Sequence, residues 1–266
     1  MYSRPLTTVS ALLLLCLSAL AQDTTWYDRD WKVIYNSADA RFFRTTHKTD
    51  SGWLVTDHYR NGKPQMTGRY SDDSLKVAQG TFNYFFEDGT INHSLTYSDN
   101  KINGLEQHFY ENGTLKLKGI NVDKHKEGEW TAFFPSGKLA GKAMYHNDKR
   151  VSQSLYHEDG SRNTKDTILY RDSEYPGGPS RYLYFLNKNL RYPDSAVVHE
   201  IQGTVMIRIH ITKEGKVTHL QIERSVDPYL DAEAMRVMKL MADWTPAIVA
   251  GVPVESYQLQ PVIFKL

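Results

Sequence analysis

The amino-acid sequence predicts a mainly β protein joined to a small α+β unit: a stacked array of β-hairpins, then two or three helices on a short antiparallel sheet. Three observations predict this. An aromatic motif bounded by glycines recurs every 24 residues, and the hydrophobic period changes near residue 172. The composition, 12% aromatic with 17 tyrosines, suits short half-exposed strands better than a large helical core. At 266 residues the chain has room for two domains of ordinary size.

The clearest copies of the repeat run from Gly80 to Gly89, Gly104 to Gly113 and Gly128 to Gly137, with partial copies around Asn61-Gly62 and Asp159-Gly160. Each copy reads as a strand with an aromatic pair, a turn ending in glycine, and a second short strand such as Thr114 to Lys118. Asn-Gly and Asp-Gly at the turns are the residues of tight two-residue hairpin turns, because both take positive φ at low cost. One hairpin cannot bury its own aromatic face, so successive hairpins should stack into an elongated single-layer sheet. Aromatic residues as hairpin core is the reading that burial favours.

After the polar stretch Ser161 to Asp172 and the turn Tyr175 to Pro179, the period becomes helical. Ser180 is a candidate N-cap for a helix carrying Tyr182, Phe185, Leu186 and Leu190. Pro193 suits the start of a second, short helix from Asp194 to Glu200. Val205, Ile207, Ile209 and Ile211 alternate with polar positions as a half-buried strand, and Lys213-Glu214-Gly215 turns into a partner strand, Lys216 to Arg224. Asp227-Pro228 caps a helix with Leu230, Ala234, Val237, Met238 and Met241 on one face. Ser256 to Leu266 forms the last strand. In it the apolar phase shifts at Pro261, from Tyr257 and Leu259 to Val262, Phe264 and Leu266, which predicts a bulge on an edge strand.

Two resemblances follow from these residues. The repeats, from about residue 53 to 165, resemble the MORN-repeat family in the bacterial variant seen in YwqK-like proteins; Trp130, Phe133 and Phe134 fit its pattern, as do Phe82, Phe85 and Phe86. That resemblance implies an architecture and assigns no functional residue. Residues 174 to 266 resemble the TonB C-terminal domain through an ordered set: Tyr192-Pro193, Ile201 to Val205 with Gly203, Gly215 to Val217, Asp231 and Ala234, then Trp244 and Pro246. It implies an α+β domain that grips an extended segment of an outer-membrane TonB-dependent receptor, or another envelope protein, by adding it as a strand to an exposed sheet edge. The partner-binding residues it implies are Tyr257, Gln258, Leu259, Gln260, Pro261 and Val262, where unpaired backbone groups supply affinity with little demand on sequence. The alternatives are a sheet end merely protected by Pro261, and an envelope scaffold that binds through its repeats, with the C-terminal unit serving to anchor or to form a homodimer. The chain departs from TonB in showing neither a full-length apolar span nor a Pro-rich spacer.

The expected organisation is a signal peptide over 1–21, an N-terminal segment with repeats over 22–171, and the TonB-like domain over 172–266. Arg4, the apolar run Ala11 to Leu20 and the small residues Ala19 and Ala21 form the export signal, with the apolar run about half of what spans a bilayer. Export places the chain in the periplasm, and a retained signal would anchor it. Cys16 is the only cysteine, so the mature chain has no thiol for disulfides, zinc or nucleophilic chemistry. A net charge of +1 supplies no field for nucleic acid. The ten histidines track the repeats and not ligand spacing, and no nucleophile elbow or phosphate loop stands out, so neither catalysis, metal nor small-molecule cofactor is expected.

Overall fold

The computed structural model describes residues 23–28, 31–165 and 167–266. The expected signal segment, residues 1–21, lies outside them. The first part of the chain forms one antiparallel sheet of thirteen strands. They are β1 (Asp23–Tyr27), β2 (Val33–Ile34), β3 (Phe42–Thr49), β4 (Gly52–Tyr59), β5 (Pro64–Tyr70), β6 (Gly80–Phe85) and β7 (Ile91–Ser98), then β8 (Lys101–Phe109), β9 (Leu115–Val122), β10 (His125–Phe133), β11 (Leu139–His146), β12 (Lys149–Tyr156) and β13 (Arg162–Asn163). From β3 onward each strand pairs with the next in sequence, as stacked hairpins require. The array also reaches further towards the N-terminus than the repeat motif does. β1 to β3 carry no glycine-bounded copy, yet they continue the sheet from β4.

The turns alternate in kind along the ribbon. At one side, Phe86 to Thr90 and Tyr110 to Thr114 each close with a bond from the glycine N–H to the aromatic carbonyl three residues back and one from the aromatic N–H to the threonine carbonyl. Gly89 and Gly113 follow in the left-handed region, at φ 87° and 78°, which is a three-residue loop ending in a glycine bulge. The two-residue turns expected there lie at the opposite side: Asp99-Asn100, Asp123-Lys124 and Asn147-Asp148, with both residues at positive φ and no glycine. Asn and Asp tolerate this conformation, so the glycine could be spent at the longer turns. Neighbouring glycine turns are tied together, Asn61 Nδ2 donating to Glu87 O and Asn112 Nδ2 to Pro135 O, both at 3.1 Å.

One face of the array is lined by aromatics that lie flat over glycines of adjacent strands. A Cβ on Gly68 would stand 2.2 Å from the Phe82 ring, and one on Gly119 would stand 2.1 Å from Trp130. Phe82 is thereby buried within the array layer itself, and Trp130 is fully buried.

The remaining chain adds β14 (Tyr170–Arg171), α1 (Gly178–Asn189), α2 (Asp194–Val198), β15 (Gly203–Ile211), β16 (Val217–Arg224), α3 (Pro228–Met238), β17 (Ala247–Val249), β18 (Val252–Val254) and β19 (Ser256–Phe264). Helix α1 begins two residues before the predicted cap. Gly177, at φ 83°, is its N-cap and Pro179 occupies the first turn, leaving Ser180 inside the helix. Asp227 caps α3 as expected, accepting from Tyr229 N at 2.9 Å. The central strand β15 lies between β16 and β19, with Val205, Ile207, Ile209 and Ile211 fully buried against Leu186, Leu230, Val237 and Trp244. Gly215 makes this closure feasible: it sits at φ 89°, and a Cβ there would meet Trp244 O at 2.0 Å.

Strands β17 and β18 are a hairpin that periodicity did not reveal. It turns at Ala250-Gly251, both at positive φ, where alanine gives no turn signal. Ala247, Val249, Ala250 and Val254 share a core with Leu117, Trp130, Phe134 and Leu155 of the array. The two parts of the molecule are therefore joined by common apolar packing.

Candidate partner-binding edge and junction cleft

Strand β19 is an outer strand of its sheet: among the described residues its only strand partner is β15. Their register is continuous from Gly203 opposite Phe264 to Ile211 opposite Ser256, so the bulge expected at Pro261 is absent. The apparent phase shift has another cause. Gln258, Gln260, Val262 and Phe264 stand opposite Ile209, Ile207, Val205 and Gly203 and share their core-facing side, while Tyr257, Leu259, Pro261 and Ile263 face the other way. At the Tyr257–Leu259 end that other side meets the array, so apolar residues are useful there too.

The six predicted residues thus belong to one strand but divide between two faces. Val262 is fully buried and offers only its backbone, whereas Tyr257 is 41% exposed and Pro261 is exposed. The first half of the strand has a neighbour, since Ser256 Oγ donates to Ser173 Oγ at 2.8 Å and Gln258 Nε2 to the same oxygen at 3.2 Å. Proline lacks an N–H, so Pro261 fits the alternate set whose backbone groups point away from β15. The same set contains Leu259 and Ile263, whose N–H groups then face outward. Sequence reasoning placed an edge strand here from Pro261 and the apolar phase; the direction of its backbone groups required the register.

The array side of the same sheet holds charged residues that the sequence did not single out. Arg208, on β15, reaches Glu111 of the third glycine turn, its Nε donating to Oε1 at 2.7 Å. Its guanidinium lies 4.9 Å above the Phe86 ring and 5.5 Å above Tyr257. The pair is largely buried, with side chains 11% and 22% exposed. Burial pushes the Glu111 carboxyl up, and Arg208 opposes that shift. Glu111 occupies a turn position held by Arg60, Glu87, Pro135 and Glu158 in the other copies, so only the folded chain distinguishes it.

Along the junction run clefts of about 650 Å³ and 510 Å³ with a smaller one of about 250 Å³. Among the described residues no group of three His, Cys, Asp or Glu is arranged to hold a metal ion, and no helix is long and apolar enough to cross a membrane.

What the fold defines is a small α+β domain with an open sheet edge, seated on a hairpin array. Residues 188–266 match the family described as Gram-negative bacterial TonB protein C-terminal, and residues 102–121 and 126–147 match the MORN repeat variant. Both are families of non-catalytic protein-interaction domains, and the first points to the bacterial envelope. The matched segments are narrower than the resemblances read from the motifs: Tyr175 to Pro179 and the copies before residue 102 lie outside them. No curated protein matches the chain.

Proposed function

We propose that this is a periplasmic, non-enzymatic protein of the TonB type that binds outer-membrane TonB-dependent receptors, or related envelope proteins, by strand addition to β19, in support of transport across the outer membrane. The observation that carries the reading is an outer strand with, among the described residues, one strand partner, in a domain that matches the TonB C-terminal family. Backbone pairing at Leu259, Pro261 and Ile263 supplies the affinity, and the exposed side chains of Tyr257 and Ile263 grade it. The array then acts as a rigid extension in place of a Pro-rich spacer.

The test is calorimetry with N-terminal segments of such receptors. Binding in the micromolar range, roughly what a small strand-addition interface supports, is expected for the wild type. Ile263→Pro removes one outward N–H without touching the β15 ladder, so it should abolish binding while leaving the melting temperature nearly unchanged. Absence of binding across a panel of receptor segments sinks the proposal. The scaffold reading draws on the length of the array, and it requires partner capture to survive Ile263→Pro. Truncation at residue 171 would not discriminate, because it exposes the core shared by Trp130 and Val249.

A further inference from the structure

Lys116 is the second residue of β9, just after the third glycine turn, and its side chain runs into the junction, where it is 18% exposed. Its ammonium lies 5.1 Å from the centroid of Tyr170 and 5.8 Å from that of Tyr110. Its ion-pair partner is Asp172, with Oδ1 at 3.6 Å, longer than a hydrogen bond. That oxygen also accepts from the Tyr170 hydroxyl. Asp172 is itself 59% exposed and well solvated. Burial lowers the lysine pKa, with Asp172 opposing, as expected for an ammonium short of close acceptors.

Two other charged groups of this region have close partners. Arg208 is matched by Glu111, and His108 Nε2 lies 2.6 Å from Glu106 Oε1. Lys116 lines both the 650 Å³ cleft and the 250 Å³ cleft, together with Phe86, Asn92 and Tyr257. The smaller cleft is also walled by Gln258 and Leu259 of β19. The smaller cleft therefore brings together a largely buried lysine, whose ion-pair partner Asp172 stands 3.6 Å away, and the flank of the strand that offers its edge.

We propose that this cavity receives the carboxylate of an acidic side chain borne by the segment that pairs with β19, with Lys116 as its counter-ion and the two tyrosine rings as its walls. The inference rests on the strand-addition reading and adds a chemical preference to it. A charge-assisted hydrogen bond in a partly desolvated site discriminates strongly against the neutral amide of the same shape. The neighbouring rings favour a cation that stays in place when the anion leaves.

The experiment has two arms on the full chain. In the first, short neutral extended peptides carry a single Glu, moved one position at a time, and each is compared with its Gln counterpart. At one position the Glu peptide should bind roughly ten- to a hundredfold more tightly, and Lys116→Met should erase that difference while retaining the Gln-peptide affinity. In the second, the Lys116 Cε signal of 13C-lysine-labelled wild-type protein is followed during titration with N-acetylglutamate amide and with N-acetylglutamine amide. A saturable shift with the glutamate compound alone upholds the carboxylate site, and no shift overturns it whatever the peptides do. Peptides that bind without regard to Glu, with a silent Lys116 signal, overturn the inference and leave strand addition standing. A Lys116 shift with no peptide binding overturns strand addition and leaves a carboxylate site.

Discussion

In the array, strands from β3 to β13 are held by their neighbours in sequence, and the hydrogen bonds that tie one repeat to the next run between turns of the same kind. In the C-terminal unit, β15 is flanked by β16, which follows it directly, and by β19, which arrives only after α3 and the β17–β18 hairpin. The first arrangement buries aromatics against glycines within a layer; the second buries a whole strand face under helices. The difference teaches where each kind of region is vulnerable. A hairpin array tolerates local loss until a shared core is breached, whereas a small closed core depends on a few close approaches such as Gly215 to Trp244. The shared cluster around Trp130 couples the two regions.

The largest expected effect tests that coupling. Trp130→Ala should cost about 3–5 kcal/mol and lower the unfolding of both regions together. Thermal melts read by tryptophan fluorescence and by hydrogen exchange of β15 amides check this, and two separate transitions with only the array affected would break the picture of a common core. Next comes Arg208→Met, which strands Glu111 and also the buried Glu223, 3.8 Å from the same guanidinium; about 2–4 kcal/mol of destabilisation is expected, and pairing it with Glu111→Gln should recover part of the loss in urea denaturation. Additive losses would mean that the junction does not depend on this pair.

Gly119→Ala sharpens the contrast between the two modes of burial. The new methyl must displace the Trp130 ring, so about 1–3 kcal/mol of overpacking is expected, while the same substitution at Gly113, where nothing lies within 4 Å but φ is 78°, tests the turn alone. Equal losses at both sites would show that backbone conformation, and not ring packing, limits the array. The smallest effect is a pH dependence. His93 is stacked between Tyr84 and His108, and burial, helped by the neighbouring His108, lowers its pKa to about 4. The unfolded chain takes up that proton first, near pH 6.5, so the array is fully stabilised above that pH and loses stability as pH falls towards 4. On the order of 1 kcal/mol, after allowance for solvent screening, should separate wild type from His93→Gln across that window; parallel pH profiles would remove His93 from the account.

Much of this was legible beforehand where the cause is local. The 24-residue period marked the hairpins, the alternation from Val205 to Ile211 marked the buried strand, and Asp227-Pro228 marked the start of α3. The edge strand was legible from Pro261, yet its phase was misread, because Tyr257 and Leu259 are apolar for the sake of the array, which the local pattern cannot represent. The β17–β18 hairpin was missed because Ala250 takes positive φ without a residue type that advertises it.

By itself, the sequence determined the elements whose stability depends on spacing: the repeat, the amphipathic helices, the glycine positions and the candidate edge from Tyr257 to Val262. Only the tertiary structure decided what those elements meet. The union of Trp130 with Val249, the reach of Arg208 to Glu111, and the seating of Lys116 beside β19 join residues far apart in the chain. Such contacts follow from how two surfaces pack, and packing is a property of three-dimensional shape that no short-range periodicity encodes.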